Sequence, residues 1–470
     1  MRTIGADLWS STLSKVPYSF PSSIFTLISF SFWAKAEGLT IKNIETSRNH
    51  FKFFIGLLLF SSLQDKNFDL QLMKNIYTYL TNNKTQSILA FDPISIFECK
   101  DGRCLKEAAD FLEKHTEDYR FGYISYDLKN EVEDLKSQNL DRIQFPTVGF
   151  FVPKYVVEWN EDEKLNFLKG KADQKALDFI AQFERNKDIL PINNVELKPG
   201  LSKTEYISKI DELQKEIQYG NIYEVTYCQE FFAENCEIAV LPTYFELNKK
   251  TKASFSCFLG WNGKYLLSAS PERFLKREGE QLISQPIKGT AKRGSTPKED
   301  LKLKTDLLSS EKERAENVMI VDLVRNDLSR IAKRNSVKVD ELFGVYTFET
   351  VHQLISTISA EIDKSVSILD ILKALFPMGS MTGAPKISAM QLIEKHETFK
   401  RGLYSGSVGY FKPNGDFDFN VIIRSILYNE KNKTISCPVG GAITLKSSPE
   451  MEYEECLVKV KALKETLQSK

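Results

Sequence analysis

The segment "LSKTEYISKIDELQKEIQYG" (201–220) sets Tyr206, Ile210, Leu213 and Ile217 at helical intervals, and Gly220 stops the pattern. Ser202 and Glu205 open it at capping-box spacing. The next run, "IYEVTYCQEFF" (222–232), alternates as a strand does. Further strands are predicted at 252–259, 264–269, 273–277, 281–288, 404–411, 418–428 and 433–437, and helices at 311–333, 367–375, 387–396 and 449–467. Strands in runs, with helices grouped between them, point to an α+β sandwich and not to βαβ alternation.

Before Leu201 the pattern is weaker. Residues 51–190 mix short apolar runs, such as "FGYISYDL" (121–128) and "TVGFFVPKYVVEW" (147–159), with charged, helix-like stretches. The polar, proline-bounded "PINNVELKPG" (191–200) is the expected linker to a region spanning 201–470. Residues 1–50 form an extension with no assignable pattern. Its apolar run 16–34 is broken by two prolines and five serines, and "FKFFIGLLLF" (51–60) is too short to span a bilayer. Arg2 and Lys15 precede that run as they do in a signal peptide, but the cysteine usage favours a cytoplasmic chain.

Composition narrows the function classes. The chain has 470 residues, enough for two or three domains. Its 63 basic and 63 acidic side chains balance, which recommends neither nucleic acid nor an anionic membrane as partner. Seven cysteines, an odd number in a large protein, fit reduced thiols better than a disulfide framework. With four histidines, a zinc cage is not expected.

Candidate chemistry gathers in "SPERFLKREGEQLISQPIKGT" (270–290). The polar centre around Gly279 reads as a hairpin turn, and a hairpin symmetric about Glu280 would set Glu272 opposite Lys288. Two interpretations stand: a surface cross-strand ion pair, or an amine nucleophile beside a proton-donating carboxyl. On the 311–333 helix, Val318, Val321, Val324 and Leu328 make an apolar stripe with Glu316 at its start, and Glu452 and Glu455 share a face of the last helix. Carboxylates facing inward from two helices suit a hard cation such as Mg²⁺; their alternative role is to favour helix N-termini. The glycine-bearing loops "PMGSMTGAPK" (377–386) and "PVGGAI" (438–443) expose amides that bind anions, or are ordinary turns. His352 lies in an apolar setting, where histidines are usually core residues with satisfied hydrogen bonds. Arg424 sits in a strand-like run, where a buried guanidinium needs an anion.

In their order along the chain, "SPERF", "PIKGT", "RAENVMIVDLVRNDLSRI", "VHQLIST", "GSMTGAPK", "YSGSVGY", "IIRS", "GGAI" and "EYEE" resemble the successive motifs of the chorismate-utilising enzymes. The resemblance is dense over 201–470 and thins toward "GYISYDL". It implies two large antiparallel sheets packed as a sandwich, flanked by helices, with the N-terminal region contributing strands to the same body. Lysine within "PIKGT" resembles the aminodeoxychorismate synthases of 4-aminobenzoate and folate biosynthesis, where anthranilate synthases typically have alanine. The resemblance implies that Lys288 attacks C2 of chorismate and displaces the C4 hydroxyl, with Glu272 as general acid, before ammonia adds at C4 and expels the lysine. It further implies that Glu316 and Glu455, supported by Glu452, hold Mg²⁺, and that Tyr404 and Arg424 bind the enolpyruvyl carboxylate. Gly440 and Gly441 would contribute backbone amides, and His352 and Ser380 would stand at the substrate site. A glutamine amidotransferase partner would supply the ammonia.

Attack needs a neutral amine, so burial and a nearby Mg²⁺ are expected to depress the Lys288 pKa. Glu224 stands where aminodeoxychorismate synthases usually show glutamine and isochorismate synthases lysine, and Ala442 replaces a usual glycine. No tryptophan-site motif is legible in 1–84, and no amidotransferase-like region is visible. Anthranilate synthase component I and a non-catalytic chorismate-binding subunit are the alternatives.

Overall fold

In the computed structural model the strands Ser87–Cys99 and Val148–Trp159 form one long antiparallel pair that organises the fold. The structure describes residues 76–82 and 86–468; the expectations for 1–50 and 51–75 fall outside them. Among the described residues, every pairing between named strands is antiparallel. The register of the long pair shifts between Pro93 and Ser95, and Asp92 there has a φ of 58°. Such a break lets one strand pair turn from one sheet into another.

From this corner the sheet divides into two wings. The first runs outward through Tyr77–Thr81, Phe255–Trp261, Lys264–Ser270, Ser425–Asn429 and Thr434–Ile443 to Glu224–Ala233. The second runs through Arg120–Ile124, Ser407–Phe411, Phe417–Asn420, Arg273–Glu278 and Gln281–Gln285 to Val351–Glu361. That last strand also pairs with Ile287–Lys292 and Lys338–Thr347. One buried cluster joins the facing sides of the wings, with Cys228, Leu259 and Trp261 against Phe121, Phe274 and Phe411, and continues to the helices over the second wing. The other lies outside the first wing, where Val225, Tyr227 and Phe231 meet Tyr206, Ile210, Val460 and Leu463 of the helices Lys203–Gln218 and Pro449–Leu467. The architecture is the expected α+β sandwich flanked by helices.

Local rules hold where the pattern was sharp. Ser202 and Glu205 form the reciprocal capping box, and the helix ends at Tyr219 ahead of Gly220. Three expectations are corrected. The presumed linker is part of the body: Asn193, Val195 and Leu197 alternate inward, and Lys198–Pro199 pairs with Phe231 and Phe232. Val318 is 40% exposed, because Glu316, Asn317 and Ile320 complete the buried helix face instead. Cys99 and Cys104 are joined as a disulfide that ties the end of a strand to the start of a helix, against the expectation of reduced thiols; the other five cysteines are free.

Candidate active site

A cavity of about 460 Å³ is lined by strand residues of both wings and by the helices Glu311–Ser329 and Pro449–Leu467. Its walls include Glu272, Lys288, Glu316, Ser380, Tyr404, Arg424, Gly440, Gly441, Glu452 and Glu455. Of the residues singled out from the sequence for their chemistry, His352 and Glu224 do not line it. The His352 ring is fully buried beside the Ile287–Lys292 strand, with Nε2 2.9 Å from Asp300 Oδ1 and Nδ1 3.0 Å from Thr347 Oγ1. Asp300 in turn receives two bonds from Arg293. The core role, with both ring nitrogens satisfied, is the one the structure displays.

Lys288 and Glu272 do meet at the cavity, but not as symmetric partners. The hairpin pairs Glu278 with Gln281 and Arg277 with Leu282, then slips between Arg273 and Lys276 so that Arg273 faces Gln285. The turn is centred between Gly279 and Glu280, a register that already aims Glu272 at Ile287, and the slip moves it one residue further, so Glu272 and Lys288 are not directly opposed. Lys288 Nζ instead donates to Glu224 Oε1 at 2.9 Å. The two side chains are 11% and 1% exposed, so this pair is no surface ion bridge. Burial acts to lower the Lys288 pKa, but Glu224, Glu316 and Glu272 outweigh it and hold the amine above the usual lysine range. The expected depression is thus reversed in the protein alone.

Glu272 is buried, and Ser380 Oγ donates to its Oε1 at 2.7 Å. Burial pushes its carboxyl up to about 7, against the opposing pull of Ser380 and Lys288. A carboxyl with that affinity is substantially protonated near neutrality and can donate a proton. Tyr404 and Arg424 border the same space. Arg424 is not inside a strand as expected: it lies between Phe417–Asn420 and Ser425–Asn429, with a φ of 51°. Among the described residues it has no carboxylate within ion-pair distance, and burial lowers its pKa. A guanidinium so placed calls for an anionic ligand.

The acidic wall has its own pattern. Glu316 Oε1 is buried without a hydrogen-bond partner among the described residues. Lys312 Nζ stands 3.8 Å from Glu316 and 3.6 Å from Glu452. Burial pushes Glu316 up to about 7 and raises Glu452 as well. For Glu455, burial is outweighed by Lys459 at 2.6 Å, which lowers its pKa. Among the described residues no three His, Cys, Asp or Glu already form a metal cage. An oxygen-only donor set with an orphaned carboxylate oxygen, and a lysine cation already drawn between two carboxylates, nevertheless fits Mg²⁺, which needs only one or two protein carboxylates. Gly441 opens toward this wall: a Cβ there would lie 3.0 Å from Glu452 Oε2.

Several supporting residues escaped the sequence reasoning. Lys459 Nζ donates to Gly440 O at 2.6 Å, which fixes the glycine segment. Arg401 is fully buried and donates to Met381 O and Thr226 O, at 2.7 and 2.8 Å, and to both oxygens of Glu397. Thr226 and Met381 both line the cavity, so this pair holds two of its walls together. The signal was an acidic and a basic residue four apart in a helix-ending segment, too common to single out.

Comparisons with known proteins agree with this geometry. The chorismate binding enzyme family matches residues 74–465. Aminodeoxychorismate synthase component 1 of Escherichia coli strain K12 is 32% identical over 399 residues, covering 83% of this chain and 86% of that protein. The chloroplastic aminodeoxychorismate synthase of Arabidopsis thaliana is 39% identical over 309 residues, 64% of this chain. The match spans about a third of that relative's length, 32%. Among solved structures, anthranilate synthase component I from Streptococcus pneumoniae TIGR4 superposes with a TM-score of 0.70 at 26% identity, covering 81% of this chain and 92% of that one. No helix among the described residues is long and apolar enough to cross a membrane. The chain belongs to the chorismate binding enzymes.

Proposed function

We propose that the chain is the chorismate-converting component of an aminodeoxychorismate synthase, forming 4-amino-4-deoxychorismate for 4-aminobenzoate and folate synthesis, with ammonia from a glutamine amidotransferase partner. The observation that carries this proposal is the shared exposure of Lys288 and Glu272 to one cavity that also holds Arg424 and the acidic wall. Arg424 and Tyr404 would take the enolpyruvyl carboxylate of the substrate. Glu316 and Glu455, with Glu452 beside them, would hold Mg²⁺, which when bound neutralises the ring carboxylate. Lys288 Nζ would form a bond to C2 as the C4–O bond breaks, and the Glu272 proton would leave with the hydroxyl as water.

The test is product analysis: purified protein with chorismate, Mg²⁺ and ammonium, with and without a 4-aminobenzoate-forming lyase. 4-Amino-4-deoxychorismate is the expected product; anthranilate as the main product, or no turnover, would overturn the assignment. Chelation is expected to remove activity and Mg²⁺ to restore it, and Glu455→Gln to raise the half-saturating Mg²⁺ concentration by roughly tenfold or more.

Glu272 predicts a pH dependence. Its carboxyl must be protonated to act, and its pKa in the folded protein lies at about 7. Turnover should therefore fall as pH rises through about 7. Ser380 stabilises the carboxylate, so Ser380→Ala raises the Glu272 pKa and moves this limb to higher pH. Glu272→Gln should lower kcat by about 10²–10⁴-fold and abolish the limb. Steady-state rates over a pH series check all three outcomes.

A further inference from the structure

The Lys288–Glu224 pair has a role to fill that the functional proposal leaves open. An ammonium cannot attack a ring carbon; its nitrogen lone pair is free only after a proton has left. Lys288 is held above the usual lysine range, so the protein alone stores it as the ammonium. The carboxylates that act on it come from each element around it: Glu224 from the Glu224–Ala233 strand, Glu272, Glu313 and Glu316, and Glu455. Among the described residues, only Glu224 lies within ion-pair distance of Nζ. Strand parity agrees with this, since Val225 and Tyr227 turn outward to the helices while Thr226 lines the cavity and Glu224, two residues before it, reaches Lys288. Its second oxygen, Oε2, is buried with no hydrogen-bond partner among the described residues. A buried carboxylate with a spare oxygen, bonded to the amine and, among the described residues, to no other donor, is suited to receive a proton.

We propose that Glu224 is the proton acceptor for Lys288, taking the ammonium proton before attack and returning it when the amine is released. The inference rests on the lysine-nucleophile mechanism above. In the first half, one Nζ–H proton passes to Glu224 Oε1 and the freed lone pair forms the N–C2 bond. The ring double bonds shift, the C4–O bond breaks, and Glu272 protonates the departing oxygen to give water. In the second half, the lone pair of ammonia forms the C4–N bond and the C2–N electrons return to Lys288. Glu224 then hands its proton back, which restores the ion pair, and one proton of the new C4 ammonium passes to Glu272, which restores its acid form.

Glu224→Gln separates this role from a merely structural one, because the two predict opposite signs. A carboxylate that only clamps Lys288 stabilises the ammonium, so removing it frees the amine and speeds attack. A carboxylate that accepts the proton leaves attack slower when it is gone. The experiment follows adduct formation on Lys288 by quenched-flow mass spectrometry, using the full chain with chorismate and Mg²⁺. Glu224→Gln is expected to slow adduct formation by at least about tenfold while the chorismate dissociation constant changes less than about twofold. Glu224→Asp, which keeps a carboxylate, should recover part of the rate and stands in should the glutamine variant fold poorly. Adduct formation that is undiminished or faster in both variants overturns the proposal alone. A wild-type protein that forms no adduct, with Lys288→Ala retaining full turnover, removes the lysine mechanism and this proposal with it.

Discussion

Lys288→Ala should lower 4-amino-4-deoxychorismate formation by at least about a thousandfold, because the reacting nitrogen itself is removed. The loss should fall on kcat and leave KM for chorismate within a few-fold, since Arg424, Tyr404 and the acidic wall border the cavity independently of the lysine. Stability should fall too. Lys288 is the ion-pair partner of Glu224, which is 1% exposed, and removing one member of a buried pair typically costs about 3–5 kcal/mol while the other stays charged. Activity assays with chorismate and ammonium, alongside denaturant unfolding, separate the two effects. A variant that unfolds normally yet turns over at the wild-type rate would exclude Lys288 from the chemistry.

Arg401→Met is the substitution expected to damage the scaffold most. The guanidinium is buried, paired with Glu397, and bonded to the carbonyls of Thr226 and Met381. Glu397 Oε1 also accepts from Cys228 N at 2.9 Å, so the pair ties the Glu224–Ala233 strand to the turn that carries Ser380. Removing the cation strands a buried carboxylate and two carbonyls, a loss of about 3–5 kcal/mol. Denaturant unfolding measures it directly. Adding Glu397→Gln to Arg401→Met should cost less than the sum of the two single changes, as expected when both remove the same interaction. Strict additivity would mean that the pair carries no coupling.

The sequence made the fold class legible because each strong element carried its own local signal. The 203–218 helix announced its capping box, and the 222–232 run announced its parity. It also identified the cavity residues other than supporting ones, since most sit in short motifs whose chemistry is local. What escaped it was tertiary. The partner of Lys288 lies 64 positions away on another strand, and a turn centred between Gly279 and Glu280 instead of on Glu280 displaced the partner that hairpin symmetry had suggested. The sign of the Lys288 shift depended on carboxylates from separate elements, which no local window contains. His352 looked the same in sequence whether facing a substrate or an aspartate. The segment 191–200 read as a linker because its composition is polar, yet its alternate side chains are covered by the body it was expected to leave.

The long pair formed by Ser87–Cys99 and Val148–Trp159 is common property of both layers, bent at Asp92 and Pro93. Neither layer can melt without dragging on the other, so heat or denaturant meets one structure with a shared fate and not two that fail in turn. An exchange of modules between relatives would have to cut through these same two strands, which makes the sandwich inheritable only whole.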